Sequence, residues 1–303
     1  MMMKLYHLCV SSPEVMFRVP ADYIQGINRA CLAAHDHNVK LWAYAFMSNH
    51  FHLIAQASDP VPFISSLRNG YSKWFNNKYS RSGPLGYRSF HCVELDNGER
   101  IIEVVTYVIK NAVHHNVAAY PTGYPFCSAR YYFIRDFGYQ NLYIPLETWN
   151  EQRQFISRKE KLPEGYVLDK SGLLIQENIL QIKKVEQIYG SPRKFSFYMN
   201  KLSGEEWAVM QVESWMGVKV KDLLGSVKLL KNVNRINDIN MYEYIDEWLL
   251  KNKKGAPYTI LSINEKLRLA AQFRRRGIGT GQISRCLVIS EDILINSVGS
   301  SRI

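Results

Sequence analysis

Two histidines separated by one residue, His50-Phe51-His52, are the first feature of this sequence with clear chemical potential. On a β-strand, residues i and i+2 face the same side, so the two imidazoles would stand about 7 Å apart at their roots and could converge on one metal ion. On a helix the same spacing would turn the rings about 200° apart. The apolar, aromatic and β-branched residues around them favour a strand, with Phe51 pointing into the core. The spacing therefore predicts two ligands of a metal site that keeps open positions for substrate oxygen.

Other interpretations of the histidines compete with this prediction. Two histidines in an aromatic strand can simply be half-buried and hydrogen-bonded, and for the pair alone this interpretation is at least as good. A second pair, His35-Asp36-His37, has the same spacing but sits at a polar helix end, where solvated loop residues are the better interpretation. His7 lies in the predicted first strand and could face either way.

A tyrosine and an asparagine four residues apart supply the second piece of chemistry. Tyr107 and Asn111 would lie on one face of a helix predicted over residues 99–116. A tyrosine hydroxyl can attack a phosphate and form a phosphotyrosine ester, but at its free pKa near 10 it needs help from a nearby metal. Asn111 could complete the metal shell as an oxygen ligand of a hard cation such as Mg²⁺. The chain has 19 tyrosines, so the shared face, not the residue type, selects Tyr107.

A sheet with a neighbouring helix is needed to bring these residues together. Hydrophobic periodicity predicts, in chain order, a strand at 3–10, a helix at 20–37, two strands within 39–56 joined by a turn at Ser48-Asn49, a helix at 61–79, a strand at 88–95 and a helix at 99–116. This β-α-β-β-α-β-α order predicts an α+β fold, a ferredoxin-like antiparallel sheet with packed helices, spanning residues 1–136.

The remainder of the chain changes character. Residues 137–175 are predicted to be a connector with little structure of its own or short packing elements, and residues 176–303 to be mainly helical. Within that part, residues 263–298 resemble a helix-turn-helix whose third helix would enter a major groove of DNA. An ordinary three-helix bundle with a solvated basic face is the alternative. DNA contacts are predicted for Lys253, Lys254, Arg274, Arg275, Arg276 and Arg285.

Composition bounds the classes of protein that fit. The chain has 303 residues, 47% of them hydrophobic, which is enough for two packed domains. A net charge of +11 and a pI near 9.3 favour a polyanionic partner, with nucleic acid first and an anionic membrane surface second. Five scattered cysteines without a CxxC pair argue against a disulfide framework or zinc ribbon and fit a reducing cytoplasm. The sequence contains no apolar run of about 18 residues, so we expect a cytoplasmic protein with no membrane partner.

Two stretches of the sequence resemble one enzyme family. The run AYAFMSNHFHLIAQ resembles the HUH strand of the REP-associated tyrosine transposases, and the run TYVIKNAVHHNVAAYPTGYPFCSARYY resembles their catalytic helix and its tail. The resemblance covers residues 3–135. It implies metal-ligand roles for His50 and His52, the nucleophilic role for Tyr107, and a third metal-side ligand at Asn111.

Two positions depart from the family pattern. Ser48 stands where the family often has proline, at a turn position that tolerates serine. Ala112 stands where a proline often follows the asparagine, so the helix need not end or kink there. A continuing helix would bring His114 and His115 to the side of Asn111, where we expect them to pack or face solvent.

The resemblance also implies an activity. It implies a transposase-like, metal-dependent endonuclease and ligase that nicks and joins single-stranded or hairpin DNA through a 5′-phosphotyrosine intermediate, with Mg²⁺ or Mn²⁺ as cofactor. Such an enzyme would act as a monomer or homodimer. One alternative is a non-catalytic DNA-binding or regulatory protein derived from such a transposase. Another is a metal phosphodiesterase that forms no covalent intermediate.

Overall fold

A computed structural model of the chain describes residues 2–96, 98–115, 117–138, 143–152, 155, 161–200 and 238–299. The strands in it are β1 (Lys4–Ser11), β2 (Lys40–Met47), β3 (His50–Ala57) and β4 (His91–Leu95), which form one antiparallel sheet in the order β2-β3-β1-β4. The first three helices are α1 (Pro20–Asp36), α2 (Val61–Lys78) and α3 (Gly98–Ile109). This β-α-β-β-α-β-α order confirms the predicted α+β fold with an antiparallel sheet.

The fourth strand begins three residues later than the sequence predicts. Arg68 of α2 donates hydrogen bonds to the backbone carbonyls of Tyr87 and Arg88, and the Tyr87 amide donates to the carbonyl of Ser11. These backbone groups are therefore bound outside the sheet ladder, which starts at His91.

The two faces of the sheet carry different residues. Alternate positions of β1 and β3 face helices α1 and α2 across an aromatic core. The buried rings of this core include Phe17, Tyr23, Phe46, Phe51 and Tyr71. Burying each phenylalanine side chain contributes about 2–3 kcal/mol to stability. The opposite face packs against α3 and carries the histidines.

Helix α1 approaches this core closely at Gly26. A Cβ atom at Gly26 would lie 2.5 Å from Cε1 of Phe17, a contact that no alanine could make without displacing the ring. Phe17 in turn packs edge to face on Phe46, with ring centroids 5.4 Å apart. The glycine therefore fixes how near the helix lies to the sheet.

Helices continue through the rest of the described chain. They are α4 (Asn111–His114), α5 (Trp149–Gln152), α6 (Ile182–Tyr189), α7 (Pro192–Asn200), α8 (Asp238–Lys253), α9 (Ile263–Arg275), α10 (Thr280–Leu287) and α11 (Glu291–Gly299). The last three occupy the positions predicted for the helix-turn-helix, and their identity as such stays a prediction. Ser262 and Glu265 form a capping box that starts α9. The part of the helical prediction that covers residues 201–237 lies outside the described residues.

The C-terminal helices pack on the sheet domain around Arg18, which follows β1. Its guanidinium carbon lies 3.6 Å from the ring centroid of Tyr258, 4.3 Å from that of Tyr242 and 4.7 Å from that of Tyr79. Nη2 of Arg18 donates to Asp246 of α8 at 3.0 Å. Arg18 is 1% exposed, so this cation is enclosed by aromatic rings from both parts of the chain.

Two further observations bear on the expectations from composition. All five cysteines have free thiols, as predicted. Among the described residues, no helix has both the length and the apolar composition needed to cross a lipid bilayer.

Candidate metal and tyrosine site

The histidine pair begins β3, directly after the two-residue turn Ser48-Asn49. His50 and His52 face the same side of the sheet, with ring centroids 5.2 Å apart and the ring planes nearly perpendicular. Phe51 between them is 2% exposed and stacks on Phe46 in the opposite core. The strand geometry predicted from the His-x-His spacing is therefore present.

Each ring nitrogen of His50 lies near an amide oxygen, and a neutral ring can donate a hydrogen bond to one of the two. Nε2 lies 3.0 Å from Oδ1 of Asn111, and Nδ1 lies 3.0 Å from Oδ1 of Asn49. Burial lowers the pKa of His50, and Arg285 lowers it further, while the hydrogen bond with Asn111 and the charge of Asp238 oppose the shift. His50 is therefore a neutral imidazole near pH 7, the protonation state in which it can act as a ligand.

His52 contacts two residues of β1. Its Nδ1 lies 3.0 Å from Nε2 of His7, and the two rings stack with centroids 5.2 Å apart. Its Nε2 faces Sγ of Cys9 at 3.9 Å. Burial, followed by the charges of the neighbouring histidines, lowers the pKa of His52 well below 6.5. Burial also lowers the pKa of His7, to about 4, so both rings stay neutral near pH 7.

Tyr107 reaches the same cluster from α3. Its ring meets the His52 ring edge to face at 5.5 Å between centroids, and the His7 ring at 6.3 Å. Burial raises the pKa of Tyr107, Cys9 adds to the rise, and a hydrogen bond with Asn111 opposes it. The phenol is therefore protonated near pH 7 and needs nearby positive charge to act as a nucleophile.

The helix that carries Tyr107 is shorter than predicted. Instead of running over residues 99–116, α3 ends at Ile109 and the single turn α4 starts at Asn111. The carbonyl of Ile109 accepts a hydrogen bond from the thiol of Cys127, and the Val113 amide bonds to the carbonyl of Lys110 instead. The prediction of one continuous helix over residues 99–116 is therefore wrong. Tyr107 and Asn111 reach the site from two helical segments.

The candidate donor set combines two imidazoles with an amide oxygen, ligand types that divalent cations accept. Two ligand atoms at right angles around an ion, with bonds of about 2.1 Å, lie about 3.0 Å apart. His50 Nε2 and Asn111 Oδ1 have this separation. Within the described part of the chain, no group of three or more His, Cys, Asp or Glu side chains is placed to hold a metal ion. The candidate set contains two residues of those kinds, His50 and His52, with an amide oxygen as its third member.

The remaining histidines divide into two groups. His35 and Asp36 of the rival pair are exposed at the end of α1, with His35 Nδ1 3.5 Å from a carboxylate oxygen of Asp36, as expected of solvated residues. His115 places its ring 5.1 Å from that of His50, and His114 places its ring 5.4 Å from that of Tyr107. His114 and His115, three and four residues after Asn111, thus pack against the site.

Two cluster members escaped prediction. His91 of β4 meets His7 edge to face at 5.5 Å, and His7 itself touches both His52 and Tyr107. The sequence signal for His7 is its spacing from Cys9. The two residues are two apart on a strand and so face the same side, like His50 and His52. That spacing alone does not place His7 at the site. The register between β1 and β3, which puts Cys9 opposite His52, is also needed.

Four of the predicted DNA-contacting residues lie on the C-terminal helices, and Lys254 and Arg276 directly follow α8 and α9. Lys254 and Arg275 are exposed, and Arg276 lies over the Tyr244 ring at 4.2 Å. Two others already pair with acids: Lys253 with Glu265 at 2.6 Å, and Arg285 with Asp238 at 2.9 Å. Arg274 is half-buried on α9. Contact with DNA stays a prediction for all six.

Comparison with known proteins gives distant similarity only. No protein-family profile and no curated protein matches the chain. The structure of a REP-associated tyrosine transposase bound to a REP hairpin is similar over 53% of this chain and 93% of its own, with 16% identity and a TM-score of 0.36. A protein from Deinococcus radiodurans R1, provisionally described as a transposase, is similar over 37% of this chain and 92% of its own, with 19% identity and a TM-score of 0.27. Identities of 16% and 19% at these TM-scores do not assign the chain to a family.

Proposed function

We propose that this protein is a metal-dependent single-tyrosine enzyme of the HUH type that nicks and rejoins single-stranded or hairpin DNA. One observation carries the proposal: a tyrosine, two imidazoles and an amide oxygen meet on one sheet face. Tyr107 contacts the His52 ring, and Asn111 lies within hydrogen-bond distance of His50. Asn111 and His50 are 61 residues apart in sequence, so tertiary folding brings these groups together.

His50, His52 and Asn111 would hold Mg²⁺ or Mn²⁺. When bound, the cation supplies positive charge that polarises the scissile phosphate and favours the ionised phenol. His7 would orient the His52 ring through the contact between Nε2 of His7 and Nδ1 of His52, as partners of metal-binding histidines commonly do. Asn49 makes the corresponding contact with Nδ1 of His50.

Tyr107 would carry the covalent step. Its oxygen attacks phosphorus, a Tyr–O–P bond forms, and the bond between phosphorus and the 3′ oxygen breaks. The phenol proton passes to the departing side, which leaves as a free 3′-hydroxyl, while the 5′-phosphate stays on Tyr107. Attack by another 3′-hydroxyl reverses the step and joins strands. No net bond energy is lost, so rejoining needs no external energy source.

Nucleic acid is the partner that charge favours. The chain carries a net charge of +11, and exposed Lys254 and Arg275 extend this charge onto the C-terminal helices. The same surface would also suit a regulatory DNA-binding protein without catalytic activity. The cluster around Tyr107 favours the enzyme, because plain DNA binding requires no half-buried tyrosine among clustered histidines.

A covalent-adduct assay tests the proposed function. Purified protein is incubated with Mn²⁺ and a pool of single-stranded oligonucleotides that includes hairpins, and SDS-resistant protein–DNA adducts are located by peptide mass spectrometry. Wild type should form an adduct on Tyr107. Tyr107→Phe and the double variant His50→Ala, His52→Ala should form none. Tyr120→Phe, which alters a 64% exposed tyrosine, is the matched control and should behave as wild type.

Two results would contradict the proposal in different ways. Cleavage that survives in Tyr107→Phe but not in the double histidine variant would indicate a metal phosphodiesterase that forms no covalent intermediate. DNA binding by wild type with no cleavage of any substrate, at any Mn²⁺ concentration, would indicate a regulatory DNA-binding protein.

A further inference from the structure

The carboxylate of Asp238, the first residue of α8, connects three distant segments of the chain. Asp238 is 7% exposed and accepts a hydrogen bond from the hydroxyl of Ser48, which lies 190 residues earlier in the sequence. It also accepts from Nε2 of Gln282 at 2.6 Å and from two nitrogens of Arg285 at 2.9–3.0 Å. Gln282 and Arg285 both belong to α10, so one buried carboxylate joins the C-terminal helices to the turn before β3.

That turn is also bound on its other side. The carbonyl of Ser48 accepts from the amides of Met16 at 2.7 Å and Phe17 at 2.9 Å, and the carbonyl of Asn49 accepts from the amide of Ser12 at 2.8 Å. The loop after β1 therefore holds the backbone of the turn, while Asp238 holds its only hydroxyl.

The position of the Ser48-Asn49 turn determines the orientation of the His50 ring. The side-chain oxygen of Asn49 lies 3.0 Å from Nδ1 of His50, which leaves Nε2 directed at Asn111. A shift of the turn would move Asn49, rotate the His50 ring and change the 3.0 Å separation between its Nε2 and Asn111. Such small displacements matter, because ligand geometry around Mg²⁺ tolerates little deviation.

We propose that Asp238 and Ser48 are positioning residues for His50, and that the C-terminal helices are thereby part of the metal-binding structure. Asp238 holds the Ser48-Asn49 turn against α10 and so keeps His50 aimed at the site. The proposal rests on the proposed function to the extent that His50 is taken as a metal ligand. It goes further in making the metal site depend on helices α8 and α10.

Mn²⁺ affinity in the full-length protein tests the proposal, measured by calorimetry well below the unfolding temperature. Ser48→Ala removes only the hydroxyl, and Ser48→Thr keeps it. Ser284→Ala is the matched control, because the Ser284 hydroxyl donates to the Ile289 carbonyl at 2.7 Å within the C-terminal helices and does not contact the turn. Asp238→Asn removes the charge that pairs with Arg285.

Ser48→Ala and Asp238→Asn should each weaken Mn²⁺ binding on the order of tenfold, the usual effect of losing a residue that supports a ligand. In cleavage assays both should raise the half-saturating Mn²⁺ concentration and leave the rate at saturating Mn²⁺ within twofold. Ser48→Thr and Ser284→Ala should bind Mn²⁺ within twofold of wild type. A Ser48→Ala protein that unfolds at lower temperature yet binds Mn²⁺ as wild type does would overturn the proposal.

A second measurement separates this proposal from the proposed function. Imidazole NMR signals of metal-free protein report the environment of the His50 ring directly. Ser48→Ala should shift the His50 signals and Ser284→Ala should not. If wild type binds no Mn²⁺ while the His50 signals still respond to Ser48→Ala, the metal-dependent function is wrong and the positioning by Asp238 stands. If the His50 signals are unchanged in Ser48→Ala, the positioning is wrong whatever metal binds.

Discussion

The histidine face of the sheet and the cationic surface of the C-terminal helices hold their charged and titratable groups in opposite ways. On the sheet, His7 and His52 contact each other, His50 contacts Asn111, and burial lowers the pKa of all three imidazoles. On the C-terminal helices Arg275 faces outward and Lys253 pairs with Glu265 near the surface, whereas Asp238, the partner of Arg285, is buried against the Ser48-Asn49 turn. The clustered side chains on the sheet can act together on one substrate group, and each depends on its neighbours for its position. Outward charges act together on a polyanion, so we expect loss of one to cost little.

The largest contrast we expect is between the two His-x-His pairs. His52→Ala removes a candidate ligand and the partner of both His7 and Tyr107, so adduct formation with Mn²⁺ should fall on the order of 10³-fold. His35→Ala alters an exposed residue of identical type and spacing and should leave the rate unchanged. Initial rates of adduct formation at fixed Mn²⁺ give the comparison. A His52→Ala protein with more than a tenth of the wild-type rate would contradict the role of His52 as a metal ligand.

Two arginines over aromatic rings provide the next contrast, in stability. Arg18→Gln should lower the free energy of unfolding by about 3 kcal/mol, because it empties a buried space among three tyrosine rings and leaves Asp246 without its partner. Arg276→Gln, which alters an exposed arginine over Tyr244, should cost less than about 1 kcal/mol. Urea denaturation measures both. Equal losses would mean that Arg18 does not hold the two parts of the chain together.

The buried histidines should also make stability depend on pH. The pKa of His7 is about 4 in the folded protein and near 6.5 when unfolded, so its contribution is complete above pH 6.5 and is lost as pH falls toward 4. We expect the free energy of unfolding to drop by about 3 kcal/mol over that range from His7. His7→Gln should flatten this dependence while keeping a side chain that can reach His52. A His7→Gln protein with the wild-type pH profile would show that His7 is not the titrating group.

Local pattern explains why the sequence predicted some of these residues and missed others. The alternation of β3 fixed the side of His50 and His52, because strand periodicity needs no knowledge of neighbours. The break at Lys110 depends on the thiol of Cys127, 18 residues from Ile109 whose carbonyl it binds. The helical periodicity around Tyr107 contains no information about that contact, so the break could not be predicted from it.

Longer separations hid the supporting residues altogether. His7 joins the site through its pairing with β3, and His52 lies 45 residues away. Ser48 looks like an ordinary turn residue in the sequence, and its partner Asp238 lies 190 residues later. The chemistry-bearing residues were predictable because their spacing is local. The groups that orient them were not, because register and docking decide which side chains meet.

We expect the smallest effect from the loss of one exposed cation on the C-terminal helices. Arg275→Ala removes one exposed cation, so DNA affinity should fall less than tenfold, equally for all sequences, and the slope of log affinity against log salt should decrease by about 1. Lys253→Ala should change the slope less, because Lys253 already pairs with Glu265 at 2.6 Å. Fluorescence anisotropy with labelled hairpin and unstructured oligonucleotides at several salt concentrations measures both. Should Arg275→Ala abolish binding to one sequence alone, α9 would read bases, and Arg275 would not act through its charge alone.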